Sequence, residues 1–343
     1  MSNGKLIIFQ HCMKQLSIVN CQLSIIYYQL FNMKYQFSFR NISQKFTRPV
    51  ITNHGVWEIR ESVIIRLVDM TGKVSWGEIA PISWFGSETL EEALDFCHQL
   101  PREITSEIIF DIPNQLPACQ FGFESALENL QENHESLNYH HLNFSGLLPA
   151  GKAALNQWQN LWKQGYKTFK WKIGVNDITE ELAILNLLID QLPESAKLRL
   201  DANGGLDDNA AKLWLEKCDN FPNKIEFIEQ PLPVDKFSEM LELSNYYSTK
   251  IALDESVATL QQLENCYQQG WRSIFVIKPG IVGSPSRLRK FCQQHQIDVV
   301  FSSVFETAIG RQAALKLAAE LSSNHRAVGF GINHYFTGSI PNV

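Results

Sequence analysis

Thr168-Phe169-Lys170-Trp171-Lys172-Ile173 decides the fold. Its aromatic and β-branched residues make it a strand, and side chains two apart on a strand share a face. Phe169, Trp171 and Ile173 therefore point one way and Lys170 and Lys172 the other. A solvated sheet edge would account for the two lysines, but not for the bulky apolar face opposite them. A strand packed outward on helices, with both lysines turned into the centre of a closed sheet, accounts for both.

The pattern repeats. After residue 140 short β-rich runs alternate with amphipathic helical segments in units of roughly 24 to 29 residues, the spacing of βα units. Strands are expected at 142–147, 168–173, 197–202, 225–229, 250–254, 273–278, 298–302 and 327–330. Helices are expected at 179–191, 208–217, 238–247, 258–269 and 307–321. Successive strand ends deliver Lys172, Asp201, Glu229, Asp254, Lys278 and Ser302. An open sheet would spread these over tens of ångströms, whereas closure into a (β/α) barrel of the TIM type brings them to one mouth. Alternation also turns Arg199 and Asp201 inward with Leu198 and Leu200 outward, and Val276 and Lys278 inward with Phe275 and Ile277 outward.

Before the barrel, residues 35–68 alternate as antiparallel strands do, and 87–100 and 121–130 have helical spacing, so an α+β module is expected over 33–135. Residues 1–32 contain no Asp or Glu and repeat Gln-Leu-Ser-Ile at Gln15 and Gln22. Polar residues interrupt them too often for a signal peptide. We expect a non-native or disordered extension, with the working protein starting at Met33.

Of the 343 residues 45% are hydrophobic and 19% charged, enough to bury a large core. A net charge of -6 and the absence of a dense Lys/Arg stripe argue against a nucleic-acid partner. No stretch reaches the length of a membrane span. Cys12, Cys21, Cys97, Cys119, Cys218, Cys266 and Cys292 form no CxxC pair, which suggests thiols in a reducing, cytoplasmic compartment.

Asp201, Glu229 and Asp254 at one mouth would repel one another unless a cation sat among them. Oxygen ligands alone suit Mg2+, where zinc would draw His or Cys. Any one of these acids could equally be a turn residue or helix cap. Three on consecutive strands between inward lysines make a metal site the better reading. Asn203 could orient a ligand or contact a substrate. A metal-held carboxylate substrate spreads the charge left when its α-proton departs, and the charge of Lys170 beside Lys172 favours the neutral base form of Lys172. Lys172 is thus expected to abstract the proton, Lys170 to tune it, and Lys278 to act as a second acid/base or as a cation against a π-face.

The phrases Lys170-Trp171-Lys172, Leu200-Asp201-Ala202-Asn203, Ile228-Glu229-Gln230-Pro231, Leu253-Asp254-Glu255-Ser256 and Val276-Ile277-Lys278-Pro279 resemble the signature of the enolase superfamily, in its muconate-lactonizing-type branch. Trp76-Gly77-Glu78-Ile79-Ala80-Pro81 and Ser302-Ser303-Val304-Phe305-Glu306-Thr307 are most similar to the o-succinylbenzoate synthase family within it. The resemblance covers Met33 to the end. It implies a modified (β/α)8 barrel, (β/α)7β in order, spanning 136–325 under an α+β capping domain, with 326–343 supplying the last strand and a tail returning to the cap. It further implies Mg2+-dependent syn-dehydration of a succinyl-hydroxycyclohexadiene carboxylate on the way to menaquinone or phylloquinone. Lys172 would remove the proton and return it to the departing hydroxide, and Lys278 would stabilise the ring by a cation–π contact. Ser302 and Ser303 are candidate substrate contacts, and substrate choice is expected to lie in cap segments 50–57 and 84–87.

Two rival readings compete with this one. A dipeptide epimerase or N-acylamino-acid racemase needs both lysines as opposed acid and base, but the epimerases carry an Asp-x-Asp motif after the seventh strand that 302–306 lacks. A non-catalytic binding barrel would leave the lysines and carboxylates without a task.

Overall fold

Strand alternation in the first third builds a four-stranded antiparallel sheet. Its members are β1 (Lys34–Thr52), β2 (Gly55–Val68), β3 (Val74–Ile79) and, after helix α1 (Leu90–Gln99), the short β4 (Glu103–Thr105), in spatial order β3-β2-β1-β4. Two helices follow, α2 (Ser106–Phe110) and α3 (Pro117–Gln131). The α1 start is a capping box in which Thr89 and Glu92 each accept from the other's backbone N–H. The computed structural model describes residues 33–52, 55–131, 139, 141–322 and 326–331. The expected extension at 1–32 and the tail beyond 331 lie outside them.

The βα units follow in order: β5 (Ser145–Leu148), α4 (Ala154–Lys163), β6 (Thr168–Lys172), α5 (Ile178–Gln191), β7 (Lys197–Asp201), α6 (Asp208–Asp219), β8 (Ile225–Glu229) and α7 (Phe237–Tyr246). Then come β9 (Ile251–Leu253), α8 (Leu260–Gln268), β10 (Ile274–Ile277), α9 (Pro279–Val282), α10 (Pro285–His295), β11 (Asp298–Phe301) and α11 (Ala308–Leu321). Strands β5 to β11 form one parallel sheet in sequence order.

Closure is achieved more sparingly than expected. The eighth strand is reduced to two single bridges, Val328 to Phe144 on one edge and Gly329 to Ser302 on the other. Gly329 lies so close to the seventh strand that a Cβ would stand 2.7 Å from Ser302 Oγ, which accounts for glycine at this seam.

The inside and outside of the barrel follow the alternation. Phe169, Trp171, Ile173, Leu198, Leu200, Phe275 and Ile277 belong to the large core between sheet and helices. Phe227, Ala252, Ile274, Val276 and Val300 form a separate cluster within the barrel. Below them Arg199, buried, donates to Glu226 at 2.7 Å, and Glu226 accepts from Arg326, which is paired with Asp298. This ion-pair floor leaves the C-terminal mouth as the open end.

Cap and barrel share a core: Ile281, in the short helix α9, and Val304, in the loop after β11, are buried among the cap's apolar residues. Buried cap carboxylates also hold barrel helix N-termini, where the dipole favours negative charge. Glu78 accepts from the backbone N–H groups of Thr307 and Gly310 at the start of α11, and Glu124 accepts from Ser286 at the start of α10. Within the cap, Gly77 on β3 meets α3 so closely that a Cβ would stand 2.0 Å from the Gly122 carbonyl oxygen. Backbone cannot yield as a side chain can, so Gly77→Ala should cost about 3 kcal/mol by overpacking, read as a lowered midpoint in urea denaturation.

Candidate active site

Six inward strand ends converge as expected, with differences in how each is held. Lys172, Asp201 and Glu229 are the last residues of β6, β7 and β8 and are register partners of one another. Asp254, expected to end a strand, instead lies one residue past β9 at the start of a tight turn formed by residues 255–257. Lys278 and Ser302 likewise stand one residue past β10 and β11.

Gln230 explains why Asp254 sits where it does. Its backbone adopts φ +38°, and its buried side chain accepts from the N–H groups of Asp254 and Ser256 at 3.0 and 3.2 Å while donating to Ser256 Oγ at 2.7 Å. Reading the strand ends did not assign this residue a role. Its signal was present all the same, since a fully buried Gln directly after a strand must satisfy its amide locally.

The charges are arranged asymmetrically. Lys170 contacts Asp201 at 2.7 Å and Glu229 at 2.6 Å, and Lys278 is paired with Asp254. Lys172 makes no ion pair among the described residues. Burial alone would lower the pKa of Lys170, but Asp201, Glu229 and Asp254 outweigh it and hold the ammonium protonated. Burial first, and then the charge of Asp201, pushes the Glu229 carboxyl up to about 8. Asp254 and Glu255 are also raised, chiefly by burial.

Glu255 is a fourth acid at the mouth that the strand-end argument passed over, because it follows Asp254 within the turn. It accepts from Asn203 Nδ2 at 3.2 Å, and its other carboxylate oxygen is buried without a partner. Asn203, at φ +45°, donates its backbone N–H to Asp201 at 3.1 Å. Asn203 is therefore placed between acids and not free in the cavity.

These groups open onto a cavity of about 310 Å3 whose polar wall is Lys170, Lys172, Asp201, Asn203, Asp254, Glu255 and Lys278. Its roof comes from the cap segments expected to set substrate choice: Val50, Trp57, Trp84 and Phe85 all line it. Phe85 sits with its ring 3.8 Å from Lys278 Nζ, so the ammonium already faces a π-surface. Ser302 and Ser303 line the cavity as well, yet the Ser303 hydroxyl is engaged in its own turn, donating to Glu306 at 2.8 Å and accepting from the Phe305 N–H at 2.9 Å.

An oxygen-binding divalent cation fits this donor set. The acids are buried beside one another, burial first and neighbouring acids after it raise Glu229 and Asp254, and one buried oxygen of Glu255 lacks any hydrogen-bond partner among the described residues. Among the described residues no three acid, imidazole or thiol groups are drawn together at coordination distance; Lys170 bridges Asp201 and Glu229, and Lys278 pairs with Asp254.

Comparison with known proteins adds an independent line. Residues 153–341 match the profile described as enolase C-terminal domain-like, and residues 37–130 match the MenC N-terminal domain. The chain is 40% identical over 303 residues to an o-succinylbenzoate synthase of Thermosynechococcus vestitus, covering 88% of this chain and 93% of that one. The crystal structure of o-succinylbenzoate synthase from Thermosynechococcus elongatus BP-1, complexed with Mg in the active site, superposes with a TM-score of 0.83 at 38% identity over 89% of this chain and 96% of that one. A substrate-liganded L-Ala-D/L-Glu epimerase from Bacillus subtilis shares the fold at 22% identity, with a TM-score of 0.73 over 89% and 92% of the two chains. With both profiles in the order that the cap and barrel require, and a relative this similar along nearly its whole length, the chain belongs to the o-succinylbenzoate synthase family of the enolase superfamily.

Proposed function

We propose that this chain is a carbon–oxygen lyase that dehydrates 2-succinyl-6-hydroxy-2,4-cyclohexadiene-1-carboxylate to 2-succinylbenzoate, a step toward menaquinone or phylloquinone. The observation that carries the reading is a lysine on β6 with no ion pair among the described residues, facing a second lysine half-way around the barrel ring, with buried carboxylates between them. That arrangement is joined to 40% identity with a synthase of the same name.

In this reading Asp201, Glu229 and Asp254 hold Mg2+, which when bound supplies electrostatic stabilisation to the substrate carboxylate as its α-carbon loses a proton. Lys172 Nζ takes that proton. The electron pair left on carbon forms the new ring double bond as the C–O bond at the hydroxyl-bearing carbon breaks. Lys172 then returns its proton to the leaving hydroxide on the same face, so water departs and the lysine ends neutral. Lys170, held charged by Asp201 and Glu229, is the fixed cation on the same strand face as Lys172. Lys278 keeps its ammonium against the ring and transfers no proton. Trp57, Trp84 and Phe85 line the cavity from the cap. Ser302 and Ser303 shape the wall near the substrate.

A cytoplasmic, reducing setting agrees with the buried, unpaired state of Cys97, Cys119, Cys218, Cys266 and Cys292, and no helix among the described residues is long and apolar enough to cross a membrane. Purified protein with Mg2+ and the cyclohexadiene acid should generate the aromatic absorbance of the product. A panel of dipeptides offered in parallel should be left unchanged, and epimerisation of a dipeptide without dehydration would overturn the assignment.

A further inference from the structure

Among all buried charges outside the acid cluster, Arg60 stands apart. It lies on β2 of the cap, is 3% exposed, and contacts no carboxylate among the described residues. Its guanidinium instead donates to backbone carbonyls from two parts of the molecule: Glu61, Ala80 and Pro81 in the cap, and Val304 at 3.1 Å in the loop after β11. Burying a cation against carbonyls is costly unless its fork is filled, and here every nitrogen is used.

The loop it reaches is held from the other side too. Glu306, buried, accepts from Ser303 Oγ at 2.8 Å and from the Val304 N–H at 2.7 Å. Between these two clamps Phe305 adopts φ +59°, a conformation that a bulky residue keeps only when its surroundings impose it. The result is functional placement. The Phe305 ring is driven against Phe46 and Trp57 with centroids 5.4 and 5.6 Å apart, and both Ser303 and Phe305 face the substrate cavity. Arg60 also lies over the Trp57 ring at 5.2 Å, so one cation braces two walls of the same cavity.

We propose that Arg60 is a positioning residue that fixes the 303–306 turn and thereby sets substrate affinity, coupling the docking of the cap to the shape of the site. It touches neither the lysines nor the carboxylates, so its removal should loosen the wall and leave the chemistry in place. The proposal rests on the dehydratase reading for its substrate.

The test uses the full chain with Mg2+ and three variants. Arg60→Met keeps the stem and removes the donors, Arg60→Lys keeps the charge without the fork, and Glu306→Gln loosens the same turn from the barrel side. KM for the cyclohexadiene acid should rise at least about tenfold in Arg60→Met, the scale of a hydrogen bond to a charged group, with kcat within about threefold of the parent. Arg60→Lys should show a smaller rise and Glu306→Gln a similar one. Product affinity, followed by tryptophan fluorescence, should weaken in parallel, while Mg2+ affinity by calorimetry stays unchanged. Unchanged KM and product affinity in a variant whose melting midpoint lies well above the assay temperature would refute the proposal, as would a joint loss of kcat and Mg2+ affinity. Should Arg60→Met fail to fold, Arg60→Lys and Glu306→Gln decide it by the same criteria. An inactive parent protein would instead remove the dehydratase reading, and the near-ultraviolet circular dichroism of the Trp57–Phe305 contact, altered in Arg60→Met, would then still report on the turn.

Discussion

Lys172→Ala is expected to lower kcat by about 10^4-fold or more while leaving the protein folded, because it removes the group proposed to take the α-proton. The fold should survive for a specific reason. Trp171 and Phe169, on the opposite face of β6, carry its packing against the helices, whereas Lys172 makes no ion pair among the described residues that its loss would leave unmatched. Loss of Lys170 would be different in kind, since Asp201 and Glu229 would lose their buried partner. Lys172→Arg should be nearly as inactive as the alanine variant, because a guanidinium cannot give up its proton near neutral pH. At Lys278 the two substitutions should separate: arginine retains a cation for the ring and for Asp254, alanine does not, so Lys278→Arg should keep far more activity than Lys278→Ala. Steady-state kinetics with circular dichroism would measure all four. Equal inactivity of Lys278→Arg and Lys278→Ala would mean that Lys278 exchanges a proton, as an epimerase requires, and would remove the single-base mechanism.

Much of this site could be read from strand alternation alone. Period-two patterning placed Lys170, Lys172, Arg199, Asp201, Val276 and Lys278 inside the barrel and their neighbours outside, and the separate interior and exterior clusters bear this out. What it missed depended on turns. Glu255 and Gln230 lie just beyond strand ends, where no periodicity applies and only the hydrogen bonds of the folded turn reveal their direction. The eighth strand was placed correctly at 327–330, where Val328 and Gly329 bridge the two edges; only its reduction to a single bridge on each side was not legible. Ser303 shows the opposite limit: a hydroxyl near a site is not thereby free for substrate, and this one is engaged by Glu306. Arg60 could not have been singled out at all from the sequence, because three of its four partners are backbone carbonyls 20, 21 and 244 residues away.

Removing the metal, or the acid at its centre, should be the second large loss. Chelation by EDTA is expected to abolish turnover reversibly, and Glu229→Gln to reduce it by at least about 10^3-fold even with excess Mg2+, the scale of losing a preorganised charge at the developing anion. The same carboxyl gives the effect a pH signature. In the unfolded chain this glutamate ionises near 4.5, whereas burial and Asp201 push it up to about 8 in the metal-free fold. Between those values the folded protein holds a proton that the unfolded chain has released. The contribution to stability is therefore full below about 4.5 and is lost as pH rises toward 8. A divalent cation that holds the ionised acids removes this penalty and displaces the proton. The melting midpoint without metal should accordingly fall as pH rises through that window, and added Mg2+ should raise it more at pH 8 than at pH 6. Apparent Mg2+ affinity should climb with pH over the same range and level off above it. Glu229→Gln should flatten both trends, since the residue that titrates is gone. Melting curves and calorimetry at several pH values, with and without Mg2+, measure each of these. An Mg2+ affinity independent of pH would show that the acids are already ionised in the metal-free protein, and that the two lysines alone neutralise the cluster.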